Sequence, residues 1–260
     1  MTKKVSDLLS IMERLRDPGF GCSWDIKQTY ASIVPFTLEE AYEVADTIER
    51  ESWDELPDEL GDLLFQVVFY CQIAKEEGRF EFDDVVQRIH DKLIRRHPHV
   101  FEDAKLQGSE QANWEKLKFT ERKKKSQDSV LDDIPIALPA LSRAHKIQKR
   151  AASIGFDWDN INDVSAKVTE ELQEVMEEVE QPSVDKERLK DELGDLFFSV
   201  VNLARHLEVE PEEAIRQANH KFETRFRQVE VAVIQDNKVM SELNLEQLDS
   251  YWNSVKNSEK

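Results

Sequence analysis

The octapeptide DELGDLLF fills residues 58–65, and DELGDLFF fills residues 191–198. They belong to an ordered series of matches. Gly21-x-x-Trp24-Asp25 answers Gly155-x-x-Trp158-Asp159, and EEAYE at 39–43 answers EELQE at 170–174. Lys92 and Arg96 answer Lys221 and Arg225, and Trp114-x3-Lys118 answers Trp252-x3-Lys256. The offsets run 134, 131, 133, 129 and 138, so order is kept while loop lengths drift, as duplication followed by loop editing leaves them. Whatever one copy folds into, the chain must hold twice. Between the copies, TERKKKSQDSVLDDIP carries a basic run, an acidic pair and a proline and reads as a connection. The expected units are residues 1–122 and 134–260, with a linker at 123–133.

Each copy has the period of helices. Val168, Leu172, Val175, Met176 and Val179 follow helical spacing until Gln181-Pro182-Ser183 interrupts them. Leu193, Leu196, Phe197, Val200, Val201, Ala204 and Leu207 form the next stripe, repeated by Leu60, Leu63, Leu64, Val67, Val68, Cys71 and Ala74. Only 7 glycines and 8 prolines punctuate 260 residues, and no run of strands is legible. The expected fold class is all-α, two tandem helical bundles whose short connections make neighbours antiparallel.

Carboxylates recur beside these stripes. At about 100° per residue, Glu192 and Asp195 share one flank of the 193–207 stripe, and Glu171 and Glu174 share a flank of the preceding one. Two facing helices can thus present four carboxylates to one spot, and Glu40, Glu43, Glu59 and Asp62 repeat the pattern in the first copy. Like charges at about 4 Å repel by about 4 kcal/mol at an effective dielectric of ~20, so protons or a hard cation must offset them. A donor set of oxygen alone favours Mg²⁺ or Mn²⁺ over zinc. Gly61 and Gly194, inside helical runs, point to close approach of a neighbouring helix or a ligand.

Cations suited to phosphate lie elsewhere in the second copy. Lys221 and Arg225 are one helical turn apart, as are Trp252 and Lys256, which gives phosphate donors and a ring for base stacking. Lys167 and Arg188 precede Glu171 and Glu192 by one turn, but Phe36 and Glu55 stand at their first-copy counterparts. The second copy is therefore the expected main catalyst.

A net charge of −19 argues against nucleic acid or an anionic membrane as the main partner. Cys22 and Cys71 are too few for a disulfide framework and fit a reducing cytoplasm. No apolar signal core opens the sequence, and no run reaches the roughly 20 apolar residues of a membrane span.

EEAYE…ELGD and EELQE…ELGD, together with GCSWD…QTYASIVPFTLEEAYE, KLIRRHPHVF and ANHKFETRFRQVE, closely resemble the MazG-type nucleoside triphosphate pyrophosphohydrolases. The resemblance spans nearly the whole chain in tandem form; Ser23 departs from it where proline is expected. It implies an all-α, homodimeric enzyme that uses Mg²⁺ to cleave nucleoside triphosphates between the α and β phosphates. In this sequence Glu171, Glu174, Glu192 and Asp195 would hold metal, and Glu40, Glu43, Glu59 and Asp62 would do so more weakly in the first copy. Lys167, Arg188, Lys221, Arg225 and Lys256 would offset phosphate charge, with Trp252 beside the base and Glu170 orienting water or a ligand carboxylate. Two other readings remain at this point. A di-iron redox bundle normally uses Glu-x-x-His, and no histidine falls in either cluster. A non-catalytic nucleotide-sensing or partner-binding module fits the first copy better than the second. His97 and His99 have a simpler role as cations at a helix end before Pro98.

Overall fold

The computed structural model describes residues 3–101 and 129–258, and among them only helices and turns occur. The chain divides into two compact units, Met1–Phe119 and Thr120–Lys260. The first contains α1 (Val5–Leu15), α2 (Tyr30–Glu49), α3 (Leu56–Glu76), α4 (Phe82–Arg96) and the short α5 (Pro98–Phe101). The second contains α6 (Ala140–Ala152), α7 (Ile161–Val179), α8 (Lys186–His206), α9 (Pro211–Gln235) and α10 (Leu245–Ser258). Trp114, Lys118 and most of the expected linker lie outside the described residues. Residues 129–133, its last part, are tied to the second unit by Arg150, whose Nη1 donates to the Val130 carbonyl at 3.1 Å.

In each unit one antiparallel pair dominates, α2 on α3 and α7 on α8. Local chemistry fixes where these helices begin. Thr29 caps α2 by accepting from the Ser32 N–H at 3.3 Å, while Ser32 Oγ accepts from the Thr29 N–H at 2.8 Å. Asn160 caps α7 through the Asp163 N–H at 3.0 Å, and Asp185 caps α8 through the Glu187 N–H at 3.0 Å. A one-residue excursion at Glu51, with φ of 55°, turns the chain from α2 toward α3.

The first core gathers Met12, Ile33, Val68, Phe69 and Ile73, with Leu8, Leu9 and Tyr30 at its edge. In the second unit Val164, Val175 and Val201 are buried, and a further cluster of Val229, Val233 and Val255 joins α9 to α10.

The structure corrects two expectations. Only the C-terminal half of the α3 stripe is buried: Val68, Cys71 and Ala74 are inside, whereas Leu60, Leu64 and Val67 are exposed. In α8 the same face leaves Leu193, Phe197, Val200 and Leu207 exposed, and in α7 Leu172, Met176 and Val179 are exposed. The buried line of α7 runs instead through Val164, Glu171, Val175 and Glu178. Each unit is only a few helices deep, so one partner helix covers one side of the apolar arc and the other side stays exposed. The second correction concerns Gly61 and Gly194. A Cβ at either position would meet nothing within 4 Å, so among the described residues no neighbouring helix approaches them, and of the two expected neighbours only a ligand is left.

Candidate active site

Carboxylate oxygens of Glu171, Glu192 and Asp195 can all lie within 4.8 Å of one another where α7 faces α8. Glu171 is on the buried side of α7 itself, only 6 % exposed, rather than on the flank its spacing suggested. Glu174 joins them through a hydrogen bond with Glu171, which raises its pKa together with burial and the nearby charges of Glu171 and Glu192. Four carboxyl groups therefore share one spot, and one of them holds its proton more tightly than an isolated glutamate. That is the signature of a site short of positive charge. Its all-oxygen donors and their spread suit a hard divalent cation.

Some positive charge is already built in. Lys167 Nζ lies 2.8 Å from Glu170 Oε1 and 2.8 Å from Glu171 Oε1, one turn away along α7. Hydrogen bonds to Glu170 first, then Glu171, hold its ammonium above the ordinary lysine range. Arg188 does not point at the cluster: its Nη2 lies 2.5 Å from Oε1 of the buried Glu178 and ties the start of α8 to the end of α7. Lys221 and Lys256 are exposed on α9 and α10. Trp252 packs on the α9–α10 core and lies 5.1 Å from Phe222, and the Arg225 guanidinium sits 6.0 Å from its ring. α9 packs mainly on α10 and α6, and only lightly on α8. The structure thus sets Lys167 against the acids, Arg188 against Glu178 and Arg225 beside Trp252 on the α9–α10 pair.

The first unit repeats the acids without the lysine. Oxygens of Glu40, Glu43 and Glu59 can also lie within 4.8 Å. Burial, then a hydrogen bond with Glu43 and the charge of Asp62, raise the Glu40 pKa; burial and the charges of Glu43 and Asp62 raise that of Glu59. Where α7 has Lys167, α2 has Phe36, set edge-on to Trp24 at 5.7 Å. Glu55, in the place of Arg188, pairs with Arg50 at 2.9 Å. Cys22, Ser23 and Trp24 lead into a short 3₁₀ turn whose Asp25 carbonyl accepts from the buried Arg16 at 2.5 Å. The proline-to-serine departure at Ser23 therefore sits just ahead of an anchored turn.

Beside the second-unit acids opens a cavity of about 750 Å³. Glu171, Asp195 and Lys167 form one side of it, and Trp158, Phe156, Phe198 and Ile147 form much of the rest. Gln148, Ser199 and Asn202 also line it, and all three are buried. At its rim Asp157 is bonded to Arg205 and, at 3.0 Å, to His206 Nε2. Burial opposes ionisation of Asp157, but the Arg205 and His206 contacts outweigh it and hold the pKa below the usual value. Sequence reading missed Gln148, Asn202, Asp157 and Arg205. Spacing carried no mark of them, since a lone polar residue beside an apolar stripe has no period of its own.

No helix among the described residues is long and apolar enough to cross a membrane. A family model described as the MazG nucleotide pyrophosphohydrolase domain matches residues 28–101 and again 160–230, which takes in both acid clusters. The chain is 54 % identical over 258 residues to the nucleoside triphosphate pyrophosphohydrolase of Escherichia coli K12, covering 98 % of each protein. It is 45 % identical over 250 residues to the nucleoside triphosphate pyrophosphohydrolase/pyrophosphatase MazG of Thermotoga maritima, covering 96 % of this chain and 94 % of that one. The uncharacterized protein YabN of Bacillus subtilis is 43 % identical over 259 residues, which is 99 % of this chain but 52 % of that longer protein. With its acid clusters on paired helices and the domain matched in both halves, the chain belongs to the MazG nucleotide pyrophosphohydrolase family.

Proposed function

We propose that this chain hydrolyses nucleoside triphosphates between the α and β phosphates, releasing the monophosphate and pyrophosphate, and that its second unit is the main catalyst. The observation that carries the choice of unit is Lys167. It stands inside the acid cluster of the second unit, whereas Phe36 occupies that place in the first. Glu171, Glu174, Glu192 and Asp195 would hold Mg²⁺, or Mn²⁺, which would neutralise the triphosphate and acidify the attacking water. Lys167 offsets charge on the phosphates nearest the acids. Glu170, exposed and bonded to Lys167 at 2.8 Å, would orient that water or a ligand carboxylate. Water adds to the α-phosphorus as the bond to the bridging oxygen breaks, and pyrophosphate leaves with that oxygen. Lys221, Arg225, Lys256 and Trp252 stand on the α9–α10 pair, and a homodimer would bring such a cationic edge to the phosphates. A cytoplasmic setting fits the two free cysteines.

For the first unit alone, a nucleotide-sensing or partner-binding role is the second reading, because Phe36 replaces the phosphate-facing lysine. Incubation with Mg²⁺ and a panel of ribo- and deoxyribonucleoside triphosphates, with resolution of the products, tests both statements. Monophosphate and pyrophosphate are expected. Activity should fall by about 100-fold or more in Glu192→Ala and stay near wild type in Glu59→Ala. Diphosphate plus orthophosphate would refute the cleavage position, and loss confined to Glu59→Ala would move catalysis to the first unit.

A further inference from the structure

We propose that the cavity beside the second-unit acids is the nucleobase pocket, and that Gln148 and Asn202 read the edge of the base. The inference rests on the proposed reaction for its substrate class, but on independent geometry for its residues. A nucleotide whose phosphates sit at Glu171 and Asp195 has its base a few ångströms further on, and the cavity lined by those two acids is where it can go. Apolar and aromatic walls suit a flat ring, and about 750 Å³ accommodates a purine as readily as a pyrimidine.

Two buried amides give this wall its polarity. Gln148 is 7 % exposed, and its Nε2 donates to the Phe198 carbonyl at 2.8 Å. That bond fixes the amide, because turning it over would set two oxygens against each other. Oε1 is then left buried with no hydrogen-bond partner. An unpaired buried acceptor is costly, and a small turn of the Gln148 side chain toward the cavity it lines would offer Oε1 to a ligand N–H that satisfies it. Asn202, 5 % exposed and one turn beyond Phe198, has the opposite polarity. Its Oδ1 accepts from Arg205 Nε at 3.0 Å and Nη2 at 2.8 Å, so Nδ2 is the group that a residue lining the cavity has left to donate. One acceptor and one donor lining the same cavity suit a base edge that presents an N–H beside a ring nitrogen or carbonyl. The first unit has lost this reader: Phe69 stands at the position of Asn202 and is buried edge-on to Trp24 at 6.5 Å.

The test compares ATP with purine riboside 5′-triphosphate, which has the same ring but lacks the exocyclic N–H. The full-length wild-type protein is expected to prefer ATP by about 10–100-fold in kcat/KM, mostly through KM. Gln148→Met, close in volume, should bring that ratio near one while keeping the thermal unfolding midpoint. Equal KM values for the two substrates in the wild type would overturn the proposal whether or not the variant folds, and so would a well-folded variant that keeps the preference. Calorimetric binding of AMP against purine riboside 5′-monophosphate separates the two readings. Selective AMP binding without hydrolysis of any triphosphate would remove the proposed reaction and retain the pocket; equal binding would remove the pocket alone.

Discussion

Among the side chains, Arg16 and Glu76 show how one buried charge is made tolerable. Arg16 is 8 % exposed, with Nε 2.9 Å from Glu76 Oε1 and Nη2 2.6 Å from Oε2, while Nη1 reaches the Asp25 carbonyl at 2.5 Å. Burial pushes the Glu76 pKa up, but the two-pronged bond to Arg16 and the amide of Gln72 outweigh it and the net shift is downward. A depressed carboxylate stabilises the fold above its unfolded pKa of about 4.3, and that contribution disappears as pH falls through the lower folded value. Glu76→Gln should therefore cost about 1–3 kcal/mol at pH 7. The gap from wild type should narrow below about pH 4. Urea unfolding followed by tryptophan emission at both pH values measures this, and a gap independent of pH would show that the pair contributes no charge-linked stability. At the same scale the candidate site was legible where its chemistry is written as spacing: Glu171, Glu174, Glu192 and Asp195 are each three apart in pairs, and the structure gathers them. Gln148 and Asn202 were not legible, because a lone amide in a helix has no periodic mark, and only the partner helix decides whether it faces water or a cavity.

For the helices, periodicity gave the α7 and α8 segments but misjudged which side of their apolar arcs would be covered. Glu171 and Glu178 lie on the packed face, whereas Leu172, Met176 and Val179 lie outside it. Lys167 and Arg188 explain how that face tolerates acids, since each buried glutamate has a cation within hydrogen-bonding reach, at 2.8 and 2.5 Å. The arc is wider than one neighbour can cover, and sequence alone does not say which half the neighbour takes. The glycines carry a clearer expectation. Gly61 and Gly194 sit within α3 and α8, and a Cβ there would touch nothing within 4 Å. Alanine at either position should stabilise its unit by about 0.4–1 kcal/mol through the unfolded chain, raising Tm by about 2–6 °C. Calorimetry of Gly61→Ala and Gly194→Ala reads this directly. A fall in Tm would mean that a contact forms there in solution which the isolated protomer does not show, and would restore the close approach that the sequence suggested.

The uncovered half-arcs bear on assembly of the whole molecule. Phe197 is 60 % exposed on α8, and Phe222 and Ile234 are 57 % and 70 % exposed on α9, while α4 has an amphipathic sequence and no buried residue. Apolar surface repeated on several long helices is more than a stable monomer ordinarily shows to water. The proposed homodimer would cover it with a second copy, a partner that needs no other component. If α9 forms the contact through both of these exposed positions, Phe222→Glu together with Ile234→Glu should halve the mass measured by sedimentation equilibrium at micromolar concentration. Hydrolysis should fall with the dimer, because the cations no longer reach the phosphates. The acid cluster lies on α7 and α8 and should be spared, so Mg²⁺ should still raise the Tm of the monomeric variant. Loss of hydrolysis with the dimer intact would place these side chains in substrate binding instead, and full activity in a monomer would show that one chain brings its own cations to the acids.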